Sequence, residues 1–235
     1  MPALPGSAAE DMQAGCLRSQ EVAKVHQLSP CLNDESLARG TRLLARRDPD
    51  LGRVVKTFGP PPMWGREAGF STLLHIILEQ QVSLASARAA HNKLLRVAAP
   101  LTPSRFLKLD DVTLKTVGFS RQKAAYGRHL ASEIADGRLD LKALHSMDDD
   151  AVKVELLKIK GIGHWTADIY LLMVLRRPDI WPTGDLALAV AAQAVKGLKT
   201  RPTSQELVKI SESWKPWRAV AARILWHHYL SDIAG

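Results

Sequence analysis

The stretch Leu156–Val190, LLKIKGIGHWTADIYLLMVLRRPDIWPTGDLALAV, decides the fold. Two apolar runs with helical spacing are broken by Gly161-Ile162-Gly163, and a lone acid, Asp185, follows Pro182-Thr183-Gly184. Glycine, a hydrophobic residue and glycine between two helices make a helix–hairpin–helix turn. The glycines permit a tight backbone, and Ile162 plugs the space between the helices. The helix that opens at the turn presents unpaired N–H groups, which suit a phosphate oxygen and place a protein on DNA without reading its sequence. A plain αα-hairpin with a glycine loop accounts for the turn alone equally well. Ala167 on the packing face and Trp165 beside the turn favour the DNA reading. Asp185 also has two readings. Before LALAVAAQAV it is a preferred N-cap, which fixes a carboxylate at the positive end of a helix, and such a carboxylate is also suited to catalysis.

Outward from this stretch the periodicity is helical throughout. From Glu35 the inward positions are Leu37, Leu43, Leu44, Leu51, Val54 and Val55, and GPPPMWGREAG then stops any helix. Phe70, Leu73, Leu74, Ile77 and Leu78 mark an amphipathic helix ending near Gln80-Gln81. Ser83 caps the next helix, Thr102-Pro103 opens a short one, and Ser120 caps RQKAAYGRHLASEIADG. Asp148 to Asp150 precede VKVELLKI, and the tail from Ser204 to Leu230 reads as two helices broken near Lys215-Pro216-Trp217. No alternating strand and no internal repeat is found. The pattern predicts nine or ten helices, with residues 1 to 35, rich in Ala, Ser, Gly and Pro, as a mobile or loosely packed arm.

Composition narrows the function class. Thirty-two Lys and Arg against 24 Asp and Glu give a formal charge of +8, which favours a polyanionic partner without naming it. The two cysteines, Cys16 and Cys31, are too few for a four-cysteine zinc site or an iron–sulfur cluster. The first residues lack a basic region followed by an apolar run, and no stretch approaches ~20 uninterrupted apolar residues. These features point to a soluble intracellular protein without membrane contact.

The combination KGIGHWTADIYLL followed by PTGD resembles the helix–hairpin–helix (HhH-GPD) superfamily of base-excision DNA glycosylases. The spacing from Trp165 to Asp185 is similar to that of its DNA-3-methyladenine glycosylase II branch. LLHIILEQQVSLASARA, VGFSRQKAAYGRHLASEIADG and SWKPWRAVAARILW extend the resemblance over about residues 60 to 230.

The resemblance implies an all-α fold with two helical lobes, a helix–hairpin–helix motif and a DNA-binding cleft between the lobes. The domain would span 36–235, one lobe being about 70–180 and the other about 36–69 plus 181–235. It also implies a monofunctional glycosylase that rotates an alkylated purine out of duplex DNA and hydrolyses its N-glycosidic bond, leaving an abasic site. Asp185 matches the catalytic aspartate, Gln81 the wedge that fills the vacated gap, and Trp165 and Trp226 the pocket tryptophans. Ile169 stands where close relatives carry a pocket tyrosine, and Trp64 is a further pocket candidate. Gly161, Ile162, Gly163, His164 and Trp165 form the phosphate-holding hairpin, where relatives often hold Na⁺ or K⁺ on turn carbonyls. Lysine occupies the Trp165 position in bifunctional relatives, so no lyase activity is implied, nor any required cofactor. Arg121, Lys123 and Arg128 form a basic face. The partner would be double-stranded DNA with alkylated bases, met by a monomer in the cytoplasm or nucleoid, or in the nucleus of a eukaryote. The rivals are a non-catalytic helix–hairpin–helix DNA-binding protein and a glycosylase for a different damaged base.

Overall fold

The computed structural model describes residues 31–234, so most of the arm assigned to residues 1 to 35 lies outside the described residues. The fold itself begins slightly earlier than that assignment. Leu32 is buried, its N–H donates to Arg176 O at 2.6 Å, and a helix starts at Asp34. The described residues are all-helical, with no strand, and contain twelve α-helices rather than nine or ten.

Part of the excess comes from the first helical run, which is two helices. α1 (Asp34–Arg47) ends at Asp48, and α2 (Pro49–Phe58) begins at once because Pro49 cannot continue α1 but is well placed at a first helical position. Leu43 is exposed rather than inward, since Leu37, Gly40, Thr41 and Leu44 form the buried stripe of α1. α3 (Phe70–Glu79) and α4 (Leu84–Ala98) follow, the latter capped by the Ser83 side chain on Ser86 N–H. The remaining local signals also act as caps: Thr102 for α5 (Pro103–Leu107), Ser120 for α7 (Arg121–Ala135) and Asp148 for α8 (Asp149–Leu157). Between α5 and α7 lies α6 (Asp111–Val117), whose cap is Asp110. α9 (His164–Ile169) runs on into a π-helical stretch, Tyr170–Val174. α10 (Leu186–Lys196), α11 (Ser204–Ser211) and α12 (Arg218–Ala234) complete the chain.

The helices pack in two groups. In one, α7 lies on α3, α5 and α6, α4 packs on α3 and α6, and α8 pairs with α9, which reaches α3. Leu73, Leu74, Ile76, Ile77, Leu94, Phe106 and Leu130 are fully buried there. The crossing is close: a Cβ on Gly127 of α7 would lie 2.8 Å from Phe106 and 2.9 Å from Leu74. In the other group α12 is central, against α1, α2 and α10, with Leu44, Leu51, Leu188, Ala221, Ile224 and Leu225 buried. Each fully buried Leu, Ile or Phe contributes roughly 1.5–3 kcal/mol, so both cores are driven mainly by apolar burial.

Asp48 ties the second group together. One carboxylate oxygen accepts from Asp50 and Leu51 N–H as the α2 N-cap. The other accepts from Trp214 Nε1 at 2.7 Å and pairs with Lys196 Nζ at the end of α10. Burial pushes the Asp48 pKa up, but Lys196, Trp214 and the Leu51 amide outweigh it and hold the group below its ordinary 3.8. A depressed native value means the stabilisation is fully present above the unfolded-state pKa and is lost as pH falls through the lower native one. Asp48→Ala should cost about 3 kcal/mol, by loss of a cap, of one of the two carboxylates that pair with Lys196 and of the acceptor for the buried Trp214 Nε1. Urea denaturation at neutral pH measures it, and the gap between wild type and variant should narrow below the ordinary Asp48 value.

Candidate functional site

The hairpin is built as its residue types require. Gly161 has φ +95, and a Cβ there would lie 2.2 Å from Cγ of Tyr126 on α7, so both conformation and space demand glycine. Ile162 is buried between the helices. Gly163 is extended and exposed, with His164 exposed beside it, and no side chain caps the start of α9. The first N–H groups of α9 therefore lack an intrahelical or side-chain acceptor. The turn carbonyls are in use: Gly161 O accepts from Gln80 Nε2 at 2.8 Å, Ile159 O from Ile162 N–H, and Gly163 O from Ala167 N–H. A monovalent cation at this turn would share its ligands with those donors, each carbonyl having one lone pair left.

Gln80 was not singled out from the sequence, yet it joins two parts of the site. Its amide also donates to Thr166 Oγ1 at 2.9 Å, so the end of α3 is fastened to the hairpin. Lys123 fastens it from the other side, donating from Nζ to Leu78 O at 2.6 Å and Gln80 O at 2.8 Å. Burial pushes the Lys123 pKa down. Arg128 likewise donates to Leu109 O and pairs with Asp111. The basic face expected from Arg121, Lys123 and Arg128 therefore reduces to Arg121, because the other two cations hold the fold. Gln81 follows with φ +57, a left-handed conformation uncommon for a side-chain-bearing residue. It is exposed, and Val82 and Leu84 beside it are exposed apolar groups.

Asp185 is the N-cap of α10, and its Oδ1 accepts from Leu188 N–H at 2.8 Å. The same oxygen accepts from Trp226 Nε1 at 3.2 Å, and Oδ2 accepts from Trp165 Nε1 at 2.9 Å. The residue is 9 % exposed. The capping alternative for this residue therefore holds, and the capping carboxylate also meets two indoles from helices far apart in sequence. The tryptophans present their N–H edges to the acid, a contact the sequence does not reveal. Trp226 is buried and Trp165 half-buried.

The turn bearing Asp185 is braced from α9. Asp185 N–H donates to Pro182 O, while Asp168, one turn after Trp165, accepts from Thr183 N–H at 3.3 Å and pairs with Lys153 at 2.7 Å. Ile169 is buried four residues after Trp165, on the same helical face. Trp64, at φ +46 and half-buried, lies edge-on to His227, the neighbour of Trp226, with ring centroids 6.2 Å apart. Trp181, Trp214 and Trp217 are buried in the core, the first two with ring centroids 5.4 Å apart. Among the described residues there is no cluster of His, Cys, Asp or Glu suited to a metal ion, and no helix is long and apolar enough to cross a membrane.

Fold and hairpin together are those of a helix–hairpin–helix DNA-repair protein. The family model described as HhH-GPD superfamily base excision DNA repair protein matches residues 74–216, and the chain belongs to that superfamily. It is 28% identical over 200 residues to the alkylbase DNA glycosidase-like protein mag2 of Schizosaccharomyces pombe, covering 82% of this chain and 94% of that one. It is 26% identical to DNA-3-methyladenine glycosylase 1 of the same organism, over 81% of this chain and 87% of the relative. Among solved structures, the Schizosaccharomyces pombe 3-methyladenine DNA glycosylase in complex with abasic DNA superposes with a TM-score of 0.74. The identity is 25%, covering 80% of this chain and 95% of that one. The DNA-3-methyladenine glycosidase of Bacillus halodurans gives 0.69 at 26% identity, covering 83% and 91%.

The two hairpin glycines should respond differently to substitution. Gly161→Ala should lose roughly 3 kcal/mol, from strain at positive φ and collision with Tyr126. Gly163→Ala, with open space around its Cβ, should lose less than about 1 kcal/mol. Chemical denaturation of the two variants compares them directly.

Proposed function

We propose that the protein is a monofunctional DNA glycosylase that excises alkylated purines of the 3-methyladenine and 7-methylguanine class in base excision repair. The observation that carries this reading is the Asp185 carboxylate, held on a helix N-terminus between the indole N–H groups of Trp165 and Trp226. A binding module that only holds DNA has no use for such an arrangement. The names of the relatives supply the substrate class, and membership in the family supplies DNA as the partner.

In this reading the hairpin N–H groups from Gly163 to Trp165 hold a backbone phosphate, with Gly161 and Ile162 shaping the turn and His164 at its edge. Gln81 enters the stack as the lesion turns outward, and Trp165, Ile169, Trp226 and Trp64 wall the pocket that receives it. A purine alkylated at N3 or N7 is cationic and leaves as a neutral base, so its departure needs little help from a general acid. The C1′–N bond breaks, positive charge develops on the deoxyribose, and Asp185 stabilises it electrostatically. Water then adds its oxygen to C1′ and releases a proton, leaving an abasic site.

A carboxylate offers about four acceptor positions, and Leu188, Trp165 and Trp226 occupy three. That favours charge stabilisation over activation of water, since a general base draws on the same lone pairs. The position of Trp165 offers no amine for a Schiff base, so the strand is left uncut. The reading needs no cofactor, invokes no iron–sulfur cluster and routes no step through a hairpin cation. The enzyme would act as a monomer wherever duplex DNA is kept, whether cytoplasm, nucleoid or nucleus.

Release of free purines from methylated duplex DNA, with strand nicking followed in parallel, tests the reading. Wild type should free 3-methyladenine without nicking. Asp185→Asn should bind abasic-site duplex normally while losing roughly 10²- to 10³-fold in release rate. Binding without release by both proteins would favour the non-catalytic module or another lesion.

A further inference from the structure

The carbonyls at the end of the hairpin helix must find donors, because a helix leaves its last carbonyls without intrahelical partners. Leu175 N–H closes the π turn on Tyr170 O at 3.1 Å. Leu171 O accepts from Arg177 N–H at 3.0 Å, and Met173 O from Arg66 N–H at 2.9 Å. Leu172 O accepts from a side chain on another helix, Nη2 of Arg223 in α12, at 2.8 Å. The same guanidinium donates through Nε to Met63 O at 2.8 Å and through Nη1 to Ala219 O at 3.0 Å.

Arg223 is 0% exposed, and these three acceptors are all neutral carbonyls. Burial pushes its pKa down to about 10. A buried cation bonded to uncharged acceptors is costly, and a leucine or methionine would fill the space more cheaply. What the guanidinium alone provides is a rigid planar fork that reaches several acceptors at once. Each segment it touches carries a member of the candidate pocket. Met63 precedes Trp64, Leu172 lies three residues after Ile169, and Trp226 follows Arg223 by three in α12. The Arg66–Met173 bond fixes the Trp64 segment on its far side, so Trp64 is held from both flanks.

We propose that Arg223 is the positioning residue of the base pocket, fixing the segments of Trp64, Ile169 and Trp226 relative to one another through the carbonyls of Met63, Leu172 and Ala219. The proposal rests on the glycosylase reading above. It separates two affinities that a purely structural role would change together. Contacts to the DNA backbone come from the hairpin and the wedge loop, whereas Arg223 governs only the pocket for the extruded base.

Arg223→Met and Arg223→Lys test it, compared at equal concentrations of folded protein verified by circular dichroism. Three quantities are measured: affinity for abasic-site duplex, single-turnover release of 3-methyladenine, and inhibition by free 3-methyladenine. The Met variant should keep its duplex affinity within about twofold and lose roughly ten- to a hundredfold in release, because misplacement by about 1 Å costs that much. Inhibition by the free base should weaken in parallel, and the Lys variant, which keeps a buried donor, should recover part of both. If the Met variant does not fold, the Lys variant alone should show the same split in smaller degree. Release at the wild-type rate by folded variants, or equal losses in duplex binding and release, would overturn the proposal and leave Arg223 a stabiliser of the fold. Absence of purine release by wild type itself would instead sink the glycosylase reading, and this proposal with it.

Discussion

One carboxylate organises the site. Asp185 receives N–H groups from the first turn of its own helix, from the first turn of the hairpin helix and from the middle of the C-terminal helix. These donors belong to both helical groups, so the position of the acid depends on how the groups meet, and their meeting is in turn fixed by the acid. Hydrogen bonds to a charged acceptor are roughly twice as strong as neutral ones, and here they lie in a setting from which water is largely excluded. The same bonds that orient the carboxylate therefore hold the fold around it. A helix cap and the catalytic aspartate proposed here therefore need not compete for one residue.

Around that centre, polar side chains repeatedly satisfy the ends of helices. Lys123 finishes α3 from α7, Gln80 binds it to the hairpin, Asp48 closes the junction of α1, α2 and α10, and Arg223 serves the end of the hairpin helix. A protein made of many short helices has many unsatisfied ends, and leaving a buried one without a partner costs about 1–3 kcal/mol. The positive charge of the sequence is thus partly structural. Lys123, Arg128, Lys196 and Arg223 are engaged with carbonyls or carboxylates of their own chain. Net charge overstates what remains for a polyanion, which is why composition favours DNA without establishing it.

The parts legible in the sequence are those set by neighbours along the chain. The caps Ser83, Thr102, Ser120 and Asp148, the glycine turn and the N-cap at Asp185 all depend on contacts within a few residues, and all appear where the residue types place them. Leu43 fails because a leucine at the edge of a helical stripe reads the same whether it faces in or out. The roles of Gln80, Lys123 and Arg223 are invisible for a different reason. Their partners lie tens to more than a hundred residues away, and glutamine, lysine and arginine ordinarily read as solvated surface. Even the two tryptophans singled out as stacking walls disclose their indole donors only when α9 and α12 are brought to the same acid.

A side chain driven between stacked bases is pushed back with equal force, and something behind it must not yield. Gln81, the side chain proposed for that role, stands at the end of α3, whose terminal carbonyls rest on the Lys123 ammonium while the preceding glutamine is locked into the hairpin. The recoil from an opened base step would thus pass into the body of the helical core on one side. On the other it would reach the turn proposed to grip the phosphate, so the thrust on one strand and the hold on the backbone would close on each other as in a lever with a fixed fulcrum.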